Sequence, residues 1–483
     1  VFVPVDLRTT PSTATPLPPT SLRQAWVALV GLSAVFLFEM LDNSVLTVAL
    51  PTIGCELAAT TTELQWVTAA YAVVFGGLML AFGALADRFG RRRLMLTGLA
   101  LLATTSLATA LVTTAWQLIA VRAALGVAAA MTTPGSMALA FRLFRDDALR
   151  VRATTLISTV GLVGLAIGPT LGGLVIAVAP WQVLLLVNAP IAVLALVGVR
   201  AGIAPDDPAE LHRAPVDVLG ALLGTATVVL ALVTPTLAVD AGGWTPWATG
   251  LTAVAAALGF AHRQRTAAHP LLDPALLARP LVASGLAYKA AAGMATAGLG
   301  YLVALQLQLD WGWSPAQAAL GTLPQVVVLL AGGAFVQPLL RRLGFDRAAW
   351  LGAAAVAAGL AEYALLGRLG YPWVALALVL VALGLRVVGV VAAMNVLRGL
   401  PENRTTIGAA LTDTASEVTS AVGLAVVGTS LALLFGADLT APGWTPDRAA
   451  HFHQAVTVAA LALTALAAAL VGWGLRRSRA ARA

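Results

Sequence analysis

The sequence predicts an all-α integral membrane protein made of two six-helix bundles plus two inserted helices, fourteen transmembrane helices in total. Three observations lead there. Of 483 residues, 59% are hydrophobic and only 11% are charged, against roughly 25% charged in soluble domains. Apolar runs of about 20 residues, the length that crosses a bilayer, recur between charged or Pro/Gly breaks. The arginines, finally, gather in every second loop.

The runs lie near 24–50, 64–86, 92–112, 116–140, 153–178, 181–200, 216–238, 246–262, 281–306, 315–340, 347–367, 371–397, 407–435 and 452–475. The eighth is the shortest. Arg88, Arg91, Arg92, Arg93, Arg142, Arg145, Arg150, Arg200, Arg263, Arg279, Arg341, Arg342, Arg398 and the Arg476–Arg482 tail fall in alternate loops. The opposite loops hold only Arg368 and Arg448. Short loops rich in Lys/Arg stay cytoplasmic, so both termini are expected on that side, which needs an even number of spans. The net charge of +7 therefore reads as topology and contact with anionic lipid, and not as a nucleic-acid footprint. Cys55 is the single cysteine, which excludes an intrachain disulfide and Cys-based metal or haem sites.

Residues 1–22, rich in Pro and Thr and without a signal-peptide core, are expected to form a disordered cytoplasmic arm. The first bundle is expected over 23–200, the inserted pair with its polar loops over 201–280, the second bundle over 281–475, and a basic tail over 476–483. A faint internal repeat supports the division. Arg342-Leu343-Gly344 falls in the second half where Arg88-Phe89-Gly90 falls in the first, and paired six-helix units with a path between them are a common transporter plan.

The densest motif is Gly83-Ala-Leu-Ala-Asp87-Arg88-Phe-Gly90-Arg91-Arg92-Arg93. Gly83 and Gly90 permit close approach and a sharp turn. Asp87 sits in the last turn of a helix, where the dipole disfavours an anion, so neighbouring arginines are expected to hold it. Such a cluster can latch one bundle to the other. A second motif, Gly164-Leu-Ala-Ile-Gly168-Pro169-Thr-Leu-Gly172-Gly173, offers a small-residue face for tight helix packing and a proline that kinks the helix.

These two segments resemble the cytoplasmic signature and the antiporter motif of the major facilitator superfamily. Arg122 with Gly126 resembles that family's fourth-helix motif, although Leu125 stands where Gln is usual. Leu41-Asp42, Ala49-Leu50-Pro51, Gln65-Trp66, Tyr71, Trp181 and Asn188-Ala-Pro190 resemble the fourteen-helix drug:proton antiporter branch. Thr47 in place of Asn and Ala81 in place of Pro depart from it, and beyond residue 200 the likeness rests mainly on helix number. The resemblance implies proton-driven export of hydrophobic or cationic drugs, or of a producer's own antibiotic.

Ionisable groups at membrane depth are expensive and mark functional candidates. Glu39 and Asp42 share one helix face. Asp42 lies roughly 12 Å from the outer end of its helix and Arg122 roughly 9 Å from the same side, at 1.5 Å per residue, so the two can pair. Glu39 lies deeper, with no evident cation, and is suited to carrying a proton. Asp413 and Glu417 repeat the theme, with Lys289 matched in depth to Asp413 and Arg386 to Glu417 as ion-pair partners. Glu39, Asp42, Arg122, Asp413 and Glu417 are the coupling candidates. Glu362 is read as interfacial, Asp217 as a helix N-terminal acid, and His451 and His453 as solvated.

The expected function is a proton-coupled exporter of the bacterial cytoplasmic membrane, not an enzyme, acting as a monomer. Protons serve as the coupling ion, lipid as a partner, and no cofactor or metal is called for. A Gly-Lys-Ser phosphate loop is missing from the sequence, which removes ATP as a direct energy source. The alternatives are an exporter of an endogenous metabolite or siderophore, and a non-transporting receptor or scaffold.

Overall fold

The computed structural model describes residues 19–144, 146–206, 217–240, 244–268, 270, 274–400, 405–435 and 445–480. Most of the expected arm, Arg145, Arg404, most of the loop before the seventh span and the last three residues of the tail lie outside them. The described residues are almost wholly helical, as lipid requires, because backbone N–H and C=O groups must be paired within the chain there.

The first half contains α1 (Trp26–Glu56), α2 (Thr61–Phe89), α3 (Arg91–Ala108), α4 (Ala115–Leu143), α5 (Asp147–Ile176), the short α6 (Gln182–Leu186) and α7 (Asn188–Gly202). The inserted pair is α8 (Val218–Asp240) and α9 (Thr245–Thr266). After the short α10 (Pro274–Ala278) come α11 (Pro280–Leu305), α12 (Pro315–Gly321), α13 (Leu323–Ala331), α14 (Gly333–Leu366), α15 (Tyr371–Gly399), α16 (Thr405–Leu434) and α17 (Pro446–Ala480). A π-helical turn, Gln306–Asp310, extends α11. Helix α17 runs through the start of the expected basic tail.

Among the described residues, ten helices are long and apolar enough to cross a membrane. Helix α2, bent by 50° between Met79 and Ala81, makes eleven if counted as one span. The other three of the fourteen expected spans fall short of that standard. The apolar part of α8 covers only Val218–Thr234. The next, α9, ends in the polar run His262–Arg265. The tenth span is divided into α12, α13 and the beginning of α14, because Pro324 and Gly332 interrupt it.

Sequence signals at the helix ends are realised in the backbone. Thr60 with Glu63, Thr114 with Gln117 and Ser314 with Gln317 form reciprocal capping boxes at the starts of α2, α4 and α12, each satisfying otherwise orphaned N–H groups. Gly90 has φ +105° and Gly344 has φ +74°, a region that favours glycine. Gly90 ends α2 and starts α3, and Gly344 kinks α14 at the place the faint repeat marks, so the two halves turn by the same device.

Packing divides the molecule unevenly along its length. At the Gly90 and Gly344 end each bundle has its own core. Leu32, Met95, Leu139, Phe144, Ile157 and Val199 fill the first. Val336, Ala348, Val387 and Val391 fill the second. At the opposite end one core takes residues from both halves, including Leu46, Leu50, Ile53, Trp181, Leu305, Leu307, Leu431 and Phe435. The bundles are therefore joined at the end away from the arginines. The inserted pair lies against α2 and α16 through α8. Its own hairpin is fixed by Asp217, which accepts from the Gly220 N–H at 3.0 Å and from Arg263 Nε at 2.9 Å, the N-terminal role the sequence assigns to it. The Thr225 hydroxyl donates to the Gly77 carbonyl of α2 at 2.7 Å, whereas an apolar cavity of about 470 Å³ separates parts of α8 and α16.

Candidate transport site at the bundle interface

Helix α1 carries the two most buried acids, on the face turned toward α4 and α7. Asp42 is fully buried and forms an ion pair with Arg122 of α4, itself 1% exposed. Its other oxygen accepts from the Asn188 amide at 2.7 Å. Arg122 also donates through Nε to the Val67 carbonyl at 3.1 Å, and its guanidinium lies 4.7 Å from the centre of the Tyr71 ring. One ion pair thus ties α1, α2, α4 and α7 together. The pairing follows from the depths of the two residues. Asn188 and Tyr71 complete the network and carry no charge that would have singled them out as partners.

Glu39, one turn away, has no such cation. It is 4% exposed and accepts from the Thr133 hydroxyl of α4 at 2.9 Å. Across the interface, Asp413 and Glu417 of α16 and Lys289 of α11 lie within electrostatic range of it. Glu417 in turn senses Asp413 and Lys289. No ion pair within bonding distance joins Lys289 to either acid among the described residues. Arg386, matched in depth to Glu417, lies instead beside Gly332 at the α13–α14 break. Equal depth therefore does not bring Arg386 and Glu417 together, because α15 turns that side chain toward α13. Glu417 packs against Gly76 of α2, and Thr414 bonds the Met79 sulfur at 3.2 Å.

The glycine motif of α5 explains how α1 is held. Gly164 faces Leu37 and Leu41, Gly168 faces Ser44, and Gly172 faces Val45. A Cβ at Gly168 would collide with Ser44. Gly173 points the other way and meets Pro315 and Ala319 of α12, so the motif ends on the second bundle. Pro169 lies within α5.

The arginine-rich motif is arranged inside the first bundle. Asp87 receives Arg91 through Nε at 2.8 Å and Nη2 at 2.7 Å, and Arg88 lies over Phe89. Arg92 donates to the Arg200 carbonyl at 2.8 Å. The N–H groups of Arg92 and Arg93 are capped by the Asp206 carboxylate at 3.2 and 3.1 Å. That carboxylate fills the space a Cβ on Gly90 would need. A link from this motif to the second bundle is not formed among the described residues. Asp206 escapes sequence reasoning because it follows the sixth span, far from the motif.

Further polar contacts between bundles occur at the opposite end. Gln308, in the π-turn after α11, donates to the Val48 carbonyl of α1 at 2.9 Å. Gly428 of α16 lies against Gln65 of α2. Nearby, His453 Nε2 is 2.8 Å from Asp310, so His453 is paired and not simply solvated. Both carboxylate oxygens of Glu362 are shielded and without hydrogen bonds among the described residues.

A family model described as Major Facilitator Superfamily matches residues 32–437. The chain belongs to the major facilitator superfamily. It is a multi-pass membrane transporter and not an enzyme. Cephamycin export protein CmcT of Amycolatopsis lactamdurans is 32% identical over 462 residues, covering 92% of this chain and 91% of that protein. Multidrug efflux pump LfrA of Mycolicibacterium smegmatis is 31% identical over 464 residues, covering 95% and 91%. Puromycin resistance protein pur8 of Streptomyces alboniger is 30% identical over 467 residues, covering 94% and 92%. Among solved structures, a bacterial homologue of the lysosomal transporter Spinster, in an inward-facing and unoccupied conformation, superposes with a TM-score of 0.64 at 14% identity over 95% of this chain and 98% of that one. That likeness establishes the fold alone.

Proposed function

We propose that this protein exports hydrophobic or cationic drugs or antibiotics across the bacterial cytoplasmic membrane in exchange for protons. The observation that carries the reading is the group of Glu39, Asp413 and Glu417 at the bundle interface, three carboxylates against the one ammonium of Lys289. Surplus negative charge at membrane depth is neutralised either by a proton or by a cationic substrate, and competition between the two couples their movements. Asp42 and Arg122, already satisfied by one another and by Asn188, hold the first bundle in shape around that group.

The names of the curated relatives, a cephamycin export protein, a multidrug efflux pump and a puromycin resistance protein, support export over uptake. In this reading the arginine-rich end is cytoplasmic, both termini lie there, and fourteen spans include α8, α9 and the broken α12–α14 segment. The joined end is then extracellular, and a tilt of one bundle against the other exposes the acids to each side in turn. A monomer suffices, with no cofactor. Export of an endogenous metabolite is the second reading, favoured by the likeness to a cephamycin export protein.

The test uses everted membrane vesicles energised by respiration. Accumulation of a fluorescent lipophilic cation is expected, with loss on adding a protonophore. Glu39→Gln and Glu417→Gln are each expected to abolish proton-driven accumulation while the protein remains folded. Accumulation that survives collapse of the proton gradient, or is unchanged in both variants, overturns the coupling.

A further inference from the structure

A second cavity, of about 270 Å³, opens at the arginine-rich end between α14 and α17, away from the interface acids. Arg347, Trp350, Leu475, Ser478 and Arg479 line it. Arg347 follows the Gly344 break by three residues and begins a membrane span. Arg479 lies in the last turn of α17. Two neighbouring arginines are engaged elsewhere. Arg477 donates to the Ala278 carbonyl at 2.9 Å and lies over Trp473, and Arg398 lies over Phe345. Arg347 and Arg479 form no ion pair or hydrogen bond among the described residues.

Two guanidinium groups on one small cavity repel unless an anion lies between them, and guanidinium matches phosphate oxygens in a planar, two-pronged fashion. Trp350 and Leu475 form the apolar part of the remaining wall, beside Ser478. Trp350 is 52% exposed and adjoins the exposed Leu351 on the outer side of α14. Tryptophan prefers the headgroup level of a membrane, and basic pockets between membrane helices take anionic headgroups. We infer that this cavity binds the phosphodiester of an anionic phospholipid, with Arg347 and Arg479 holding the phosphate and Trp350 and Leu475 meeting the glycerol and upper acyl chain. The volume suits a headgroup phosphate and not a whole lipid.

Purified full-length protein is incubated with an equimolar mixture of phosphatidylglycerol and phosphatidylcholine in detergent and examined by native mass spectrometry. Wild-type protein is expected to retain phosphatidylglycerol. Arg347→Gln and Arg479→Gln are each expected to weaken retention about fivefold, the contribution of one basic residue near an anionic surface. The double Lys variant, which keeps the charge, is expected to recover part of it, and Arg368→Gln at the other end is expected to leave it unchanged. A photoreactive phosphatidylglycerol on the wild-type protein serves as a measurement independent of variant folding, and cross-links are expected in the peptides spanning 347–351 or 473–479. Equal retention in wild type and both Gln variants, or cross-links confined to other helices, overturns the inference. Complete displacement by millimolar glycerol phosphate also overturns it, because the site would then take a soluble phosphate and not a lipid.

Discussion

Buried charge is handled in opposite ways by the two halves. In the first, Asp42 and Arg122 are closed into a network with Asn188, Val67 and Tyr71 that leaves neither charge without a partner. In the second, Lys289, Asp413 and Glu417 feel one another without a bonded ion pair among the described residues. A paired charge in a dry interior fixes geometry and is costly to break. A charge held only by longer-range fields is open to a visiting ion. Glu39 sits on the first half but behaves like the second, since among the described residues only the Thr133 hydroxyl is bonded to it.

The contrast can be broken most forcefully at Arg122. Arg122→Ala leaves Asp42 buried and unpaired, a loss of about 3–5 kcal/mol. Thermal unfolding in detergent is expected to reveal it, whereas Lys289→Gln should leave the unfolding temperature nearly unchanged and impair transport. Next in size is Gly168→Val, where the added side chain meets Ser44. Overpacking of this kind costs about 1–3 kcal/mol and should separate α5 from α1, lowering the yield of folded protein.

A smaller effect is expected at the junction of the halves. Gln308→Ala removes the bond to Val48, worth about 1 kcal/mol, and so should shift the balance toward an open far end by roughly fivefold. Cys55, exposed near the end of α1, provides a native reporter. An impermeant thiol reagent added to intact cells should label it, and faster labelling of a cysteine introduced at Ala295 of the shared core should accompany Gln308→Ala. Smallest is Asp217→Asn. Arg263 is 41% exposed in that pair, so solvent screens the interaction. Less than about 1 kcal/mol is expected, with no change in transport.

Much of this architecture is legible in one dimension because lipid imposes long apolar runs, and because capping and turn residues act locally. Gly90 and Gly344 are readable for that reason, as are Thr60 with Glu63 and Ser314 with Gln317. The Asp42–Arg122 pair is readable because two charges at similar depth in lipid must find partners. The same logic fails for Arg386, since depth says nothing about the rotation of a helix about its axis. It fails also for the continuity of the tenth span, where Pro324 and Gly332 divide an apolar run of adequate length. Asp206 and Thr133 are invisible to spacing, because each acts on a segment distant in sequence through one side chain.

The attachment of the inserted pair is lopsided. Helix α8 is hydrogen-bonded to α2 through Thr225 and Gly77, while across from α16 it faces a void of about 470 Å³. If the halves rock, α8 travels as a passenger of the first, and the slack is taken up in that gap. Its width then varies through each turnover, so the acyl chains beside it become part of the mechanical load, and the working rate acquires a dependence on how stiff the surrounding bilayer is.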